Sequence, residues 1–295
     1  MAMTPMKNVA PFKDATALLE TPQKLQTFAE KEGYLFFKNL LPEKDIIALR
    51  NQILTLAQSY NWLAPNTPYQ LGIAAPNAPQ YKEDTPEWRN FYCDVQKLHA
   101  FHALALHPRL IRPLEILFNE PVLPHSRNIL RLLFPNSARY STPPHQDNYY
   151  IGGSENTWTA WFALGDCPAE LGGLACAPGT HKQGKLETQA AEGAGGRSVV
   201  VDENTHWVAA PMNCGDVLFL HSLTVHQGKD NQSNRLRLSC DYRYQPRSHP
   251  VREDSLQPHL HWLTWDDIYA EWPKNDPIKY YWQNWPINFT THTSR

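Results

Sequence analysis

His145 and Asp147 stand two residues apart in the stretch Pro143-Pro144-His145-Gln146-Asp147. On an extended strand both side chains would leave the same face. A second stretch, Leu220-His221-Ser222-Leu223-Thr224-Val225-His226, offers two more imidazoles. Two donors from one segment and a third from a distant one can hold a metal from one side. The other side then stays open, which is the two-histidine, one-carboxylate arrangement of non-haem Fe(II) sites. His-x-Asp alone is a common triplet in a chain with 13 histidines and 29 acidic residues, so its surroundings must carry the reading. His221 and His226 are five apart and leave opposite faces of one strand, unless a turn at Ser222-Leu223 intervenes. His226 is the preferred third donor, because the polar turn Gln227-Gly228-Lys229-Asp230-Asn231 follows it. His221 is expected to hydrogen-bond within the structure.

A third stretch, Arg235-Leu236-Arg237-Leu238-Ser239, alternates cationic or polar residues with leucine. Leu236 and Leu238 face one way, Arg235, Arg237 and Ser239 the other. An arginine on the inner face of an apolar barrel is costly without an anion beside it. A bidentate guanidinium–carboxylate pair meets that need, with either an internal acid or a carboxylate ligand as partner.

The elements that must position these residues follow from pattern. Thr21-Pro22 starts a helix, with Thr21 as cap, and Gly33 ends it. Tyr34-Leu35-Phe36-Phe37 reads as a short buried strand, and Pro42-Glu43 opens a second helix. Residues 60–85 lack periodicity and read as a long loop, a candidate lid together with the Trp-rich C-terminus. Helical patterns return over Trp88–Ala105 and Leu110–Phe118. Strands are expected near 127–134, 139–146, 158–164, 173–177, 198–201, 206–210, 216–220, 223–227 and 235–244. Many short strands with turn signals between them indicate a sandwich or barrel. The segment Trp262–Trp285 reads as helical and aromatic. The expectation is one domain over 1–295: a helical layer over about 20–119, a β core over about 122–246, and a cover over 247–295.

Composition narrows the function classes. The formal charge of −2 comes with no basic block, so nucleic-acid binding has no electrostatic support. No apolar run approaches the roughly 20 residues needed to span a bilayer. The first residues lack an apolar signal core, so the expected location is cytoplasmic. Five cysteines with no C-x-x-C spacing argue against a disulfide framework or a structural zinc site.

The chain resembles the phytanoyl-CoA dioxygenase family of Fe(II)/2-oxoglutarate-dependent oxygenases. The resemblance rests on Pro144-His145-Gln146-Asp147, Leu171-Gly172-Gly173-Leu174, Pro178-Gly179-Thr180-His181-Lys182 and Gly215-Asp216-Val217-Leu218-Phe219. It continues through His221–His226, Asn231-x-Ser233-x-Arg235-x-Arg237 and Arg243-Tyr244. It implies a mainly β fold with flanking helices, a double-stranded β-helix or jelly roll of cupin-like type. It implies Fe(II), 2-oxoglutarate and O2, with oxidation of an unactivated C–H of a small-molecule substrate and release of succinate and CO2. Carried over residue by residue, His145, Asp147 and His226 are the metal ligands. Arg237 anchors 2-oxoglutarate, Arg235 is the alternative anchor, and Trp161 stands beside the cosubstrate. A serine that some members place two after the distal histidine is Gly228 here. Asp147 is retained where halogenating members carry a small residue, which favours hydroxylation or a related oxidation. Position alone nominates Arg131, Asn148, Tyr149 and Tyr150 as the substrate wall. Two other readings compete: a Zn(II) hydrolase on the same three donors, and a jelly roll that binds a small molecule without turnover.

Overall fold

The computed structural model describes residues 9–76, 78, 85–137 and 140–290. Its strands in chain order are β1 (Val9–Ala10), β2 (Tyr34–Phe37), β3 (Val122–Pro124), β4 (Ile129–Leu133), β5 (Trp158–Ala163) and β6 (Leu174–Cys176). They continue as β7 (Thr188–Ala190), β8 (Arg197–Val199), β9 (Trp207–Val208), β10 (Val217–His221), β11 (His226–Gly228) and β12 (Arg237–Pro246). One sheet has the order β2-β10-β5-β12-β3, with β4 also on β12; a second runs β1-β9-β6-β11. Alternation sorts the side chains of the larger sheet. Trp161, Ala163, Leu218 and Leu220 pack against Leu174, Cys176 and Val208 of the smaller sheet. On the opposite face Ala160, Phe162, Phe219 and Tyr242 pack against the N-terminal helices. Two facing sheets with helices outside are the expected jelly roll.

The helices are α1 (Pro22–Glu32), α2 (Glu43–Ser59), α3 (Pro86–Gln96), α4 (His99–Ala105), α5 (Pro108–Phe118), α6 (Asn148–Ile151) and α7 (Trp265–Tyr269). Pro22 occupies the first helical position, yet the Thr21 side chain makes no capping bond. Gly33 ends α1 in the left-handed conformation at φ 73°, and its carbonyl accepts from Thr224 Oγ1 at 2.6 Å. A Cβ there would collide with His181 and Thr224, so glycine is required for this close approach. None of the helices among the described residues is long and apolar enough to cross a membrane.

Four sequence expectations change. The pattern over Trp88–Ala105 is two helices, because Leu98 is extended and the Lys97 carbonyl is taken by Trp272 Nε1 at 2.8 Å. The expected strand 139–146 is not formed among the described residues; residues 138–139 lie outside them. What remains is one bridge, His145 to His226, because Pro143 and Pro144 have no N–H to continue the ladder. Among the described residues the C-terminal segment holds one short α-helix, capped by a Thr264–Asp267 box. Pro273, Pro277 and Pro286 prevent longer ones. The last strand begins at Arg237 rather than 235, so Arg235 precedes the ladder. Part of the loop nominated as a lid, residues 77 and 79–84, lies outside the described residues.

Candidate metal centre

His145, Asp147 and His226 converge between the two sheets, with one donor atom from each lying within 4.8 Å of the others. The His145–His226 bridge sets this up: each backbone N–H donates to the other's carbonyl, at 2.9 and 3.0 Å, and the rings stand 4.1 Å apart. Asp147 reaches the same point by a route the spacing did not indicate. Its backbone is helical (φ −59°, ψ −30°), and α6 starts immediately after it. A turn, not a shared strand face, brings the carboxylate beside His145.

Each histidine is oriented by its own backbone. His145 Nδ1 lies 2.8 Å from the Pro143 carbonyl, and His226 Nδ1 lies 3.0 Å from the Thr224 carbonyl. A carbonyl accepts only, so both Nδ1 atoms carry a proton, and in the neutral ring that leaves the lone pair on Nε2. Such outer contacts orient metal-binding imidazoles. Burial, then the neighbouring His145, pushes His226 down to about 4, so its ring is neutral, the form that binds metal.

The carboxylate is prepared too. Burial opposes the charge on Asp147, but the Arg243 guanidinium at 3.5 Å holds its carboxyl well below the usual range. Thr159 Oγ1 donates to its Oδ2 at 2.5 Å. Thr159 and Arg243 are paired across β5 and β12, so the sheet register delivers both. Neither was given a role from sequence, although Arg243 is among the residues that carry the resemblance. The signal was present for Arg243, which continues the inward alternation Arg237, Ser239, Asp241 along β12.

The cleft around the three residues is lined by Arg131, Thr159, Trp161, Leu220, Arg237 and Asp241, among others. Arg237 is buried. It donates to the Gly172 carbonyl at 3.0 Å, and its Nε finds no acceptor. No carboxylate lies within ion-pair distance of it among the described residues. Gly172 sits at φ 74° against the Asp230 and Lys229 carbonyls, where any Cβ would clash. Trp161 stands 6.0 Å from the Arg237 guanidinium.

The other nominated residues separate. Arg131 lines the cleft and pairs with Asp241 at 3.0 Å. Tyr150 packs its ring 5.9 Å from that of His145, and its hydroxyl donates to the Gly195 carbonyl. Asn148 is buried with its amide donating to Ser222 Oγ, and Tyr149 lies under Arg197. Arg235 lines a different cavity, away from the three donors. His221 stays outside the cluster: a turn follows it, and its Nδ1 accepts from the Leu223 N–H at 3.2 Å. Gly228 lines the cleft beside Thr142.

Residues 29–239 match the family model described as phytanoyl-CoA dioxygenase (PhyH). The 1-deoxypentalenic acid 11-beta-hydroxylase of Streptomyces arenae is 28% identical over 266 residues, covering 84% of this chain and 89% of that one. The peroxisomal phytanoyl-CoA dioxygenase of Bos taurus is 25% identical over 238 residues, covering 73% and 66%. Among solved structures, the epimerase SnoN in complex with Fe3+, alpha ketoglutarate and nogalamycin RO superposes with a TM-score of 0.54 at 22% identity, covering 79% and 86%. The non-heme alpha ketoglutarate dependent carbocyclase SnoK gives 0.53 at 22% identity, covering 82% and 89%. The folds agree, and the family match runs across most of the helical layer and the roll. The chain belongs to the phytanoyl-CoA dioxygenase family of non-haem iron, 2-oxoglutarate-dependent oxygenases.

Proposed function

We propose that His145, Asp147 and His226 hold Fe(II), that Arg237 anchors 2-oxoglutarate, and that the enzyme hydroxylates a C–H of a small-molecule metabolite. The observation that carries this is the pairing of two features in one cleft: a preoriented three-donor cluster and a buried arginine that has no carboxylate partner among the described residues. The donor set fits a divalent cation, since the backbone carbonyls take both Nδ1 atoms and leave Nε2 for a metal, His226 is neutral and the Asp147 carboxylate is ionised. The chemistry that iron supplies when bound is the O2-dependent, decarboxylating oxidation of 2-oxoglutarate to succinate and CO2, coupled to oxidation of a substrate C–H.

The chain's own residues supply placement. Pro143 and Thr224 fix the two rings through their carbonyls. Thr159 and Arg243 hold the Asp147 oxygens. Arg237 receives the distal carboxylate of the cosubstrate, replacing a missing counter-ion in a site where charge is poorly solvated. Leu174, Leu220 and Trp161 make the walls dry. Arg131 and Tyr150 flank the donors and contact the substrate. The hydroxylase relatives act on a small acid by their names, which supports a small-molecule substrate here.

Arg237 also separates this reading from a zinc hydrolase, which gives a buried cation no role. The test is succinate formation from 2-oxoglutarate with anaerobically Fe(II)-loaded protein on admission of air. Slow turnover in wild type, absent in Asp147→Ala and Arg237→Ala, is expected. No succinate together with no anaerobic binding of 2-oxoglutarate would transfer the assignment to the hydrolase or to a non-catalytic binding protein.

A further inference from the structure

A second cavity, of about 180 Å³, opens where β5 ends and β12 begins. Ile47 and Arg50 of α2 form one wall, and Leu164, Leu171, Leu236 and Leu238 form an apolar floor. Arg235 stands opposite Arg50. Neither guanidinium has a carboxylate within 4 Å among the described residues. Two other arginines of the roll do have one: Arg131 pairs with Asp241 and Arg243 with Asp147. Arg50 donates only to the Gln70 carbonyl, and the Arg235 side chain makes no hydrogen bond to the protein among the described residues.

The local backbone makes room for these cations. The Arg50 side chain lies over Gly72 and Gly165, where a Cβ would stand 3.1 and 3.3 Å from it. Arg235 is held in place by its main chain: it bridges Ile73, and its carbonyl accepts from Asn231 Nδ2 at 2.7 Å. Two half-buried like charges facing one cavity repel each other, and burial adds to that cost. Burial first, then the Arg235 charge, lowers the pKa of Arg50. A bound anion removes both costs at once, and a guanidinium pair matches a carboxylate.

We propose that this cavity is a binding site for a small organic anion, a carboxylate on a short apolar body, gripped by Arg50 and Arg235. The leucine floor accommodates the apolar part. Asp166 at the cavity wall, held by the Cys214 N–H at 2.9 Å, disfavours a multiply charged anion such as phosphate. The site is separate from the metal cleft and does not rest on the iron assignment. It shares a wall with the cleft, since Leu171 precedes Gly172, whose carbonyl accepts from Arg237.

The experiment is calorimetric titration of the full chain with hexanoate and, separately, with inorganic phosphate. The variants are Arg50→Gln/Arg235→Gln, which removes both charges, Ile47→Trp, which fills the cavity, and Arg237→Gln, which removes the unpaired cation of the metal cleft. Melting curves of each variant verify folding. Hexanoate should bind wild type and Arg237→Gln alike, and at least tenfold more weakly to the other two. Three results would overturn the proposal: no hexanoate binding to wild type, binding lost only in Arg237→Gln, or phosphate binding as tightly as hexanoate.

Discussion

Replacing Arg237 with methionine keeps most of the side-chain volume and removes the charge. The structure predicts that this change separates stability from cosubstrate binding. In the protein alone, the guanidinium gains one hydrogen bond, to Gly172, and leaves its Nε without an acceptor. Losing that bond costs about 1 kcal/mol. Removing a buried, unpaired cation returns a similar or larger amount, since buried charges are costly without a partner. The net change in folding free energy should stay within about 1 kcal/mol, a melting shift of roughly 4 °C or less. Binding of 2-oxoglutarate should respond very differently. Truncating one partner of a buried, hydrogen-bonded charge pair costs about 2–5 kcal/mol. That corresponds to a Kd raised from roughly 30-fold to several thousand-fold. Anaerobic calorimetry on metal-loaded protein measures the second effect, and thermal unfolding without cosubstrate measures the first. Unchanged 2-oxoglutarate affinity would refute the anchor. A large loss of stability with unchanged affinity would make Arg237 a structural cation instead.

Thr159→Val removes the hydroxyl that donates to Asp147 while keeping the shape of the β5 side chain. Titration with Fe(II) or Mn(II) should give an affinity lower by roughly 10- to 100-fold, the usual effect of losing an outer contact. Unaltered affinity would show that Asp147 needs no such support. Tyr150→Ala and Arg131→Ala should raise KM for the prime substrate and leave uncoupled 2-oxoglutarate turnover intact; unchanged kinetics in both would remove them from the substrate wall. His102 gives a pH prediction away from the metal. Burial pushes it from 6.5 down to about 4, while its Nε2 donates to the Gln96 carbonyl and its Nδ1 accepts from Asn128. The folded pKa is depressed, so this contribution is complete above the unfolded value and is lost as pH falls from about 6.5 toward 4. A depression of that size is worth on the order of 3 kcal/mol. Denaturant unfolding across that range should show the loss, and His102→Gln should reduce it; identical profiles would dismiss the assignment.

Histidine and aspartate two apart did identify residues that meet in space, although for a different reason from the one the spacing offers. The strand argument needs a continuous ladder through 139–146, and two prolines without N–H groups interrupt it. Sequence periodicity describes the side chains of regular elements; here the donors sit where a bridge gives way to a helical turn. The inward face of Arg237 was legible because β12 is regular, and alternation alone carries Ser239, Asp241 and Arg243 to the same face; the preference for Arg237 over Arg235 came from the family resemblance. Arg235 shows the limit of that argument. The same alternation places it beside Arg237, but the ladder starts two residues later, and the bend at Asn231–Ser233 carries it into another cavity. Thr159 left no sequence signal, because its role depends on cross-strand register: Arg243 on β12 opposite Thr159 on β5, with Asp147 reached from a third segment. Local pattern therefore reveals which residues share a face, while the register between distant strands decides which of them touch. The most informative test of this division is a double-mutant cycle between Thr159→Val and Arg243→Met, with metal affinity as the readout. Both donate to the same carboxylate from adjacent strands, so their losses should be non-additive by about 0.5 kcal/mol or more. Simple additivity would mean that the two strands support Asp147 independently.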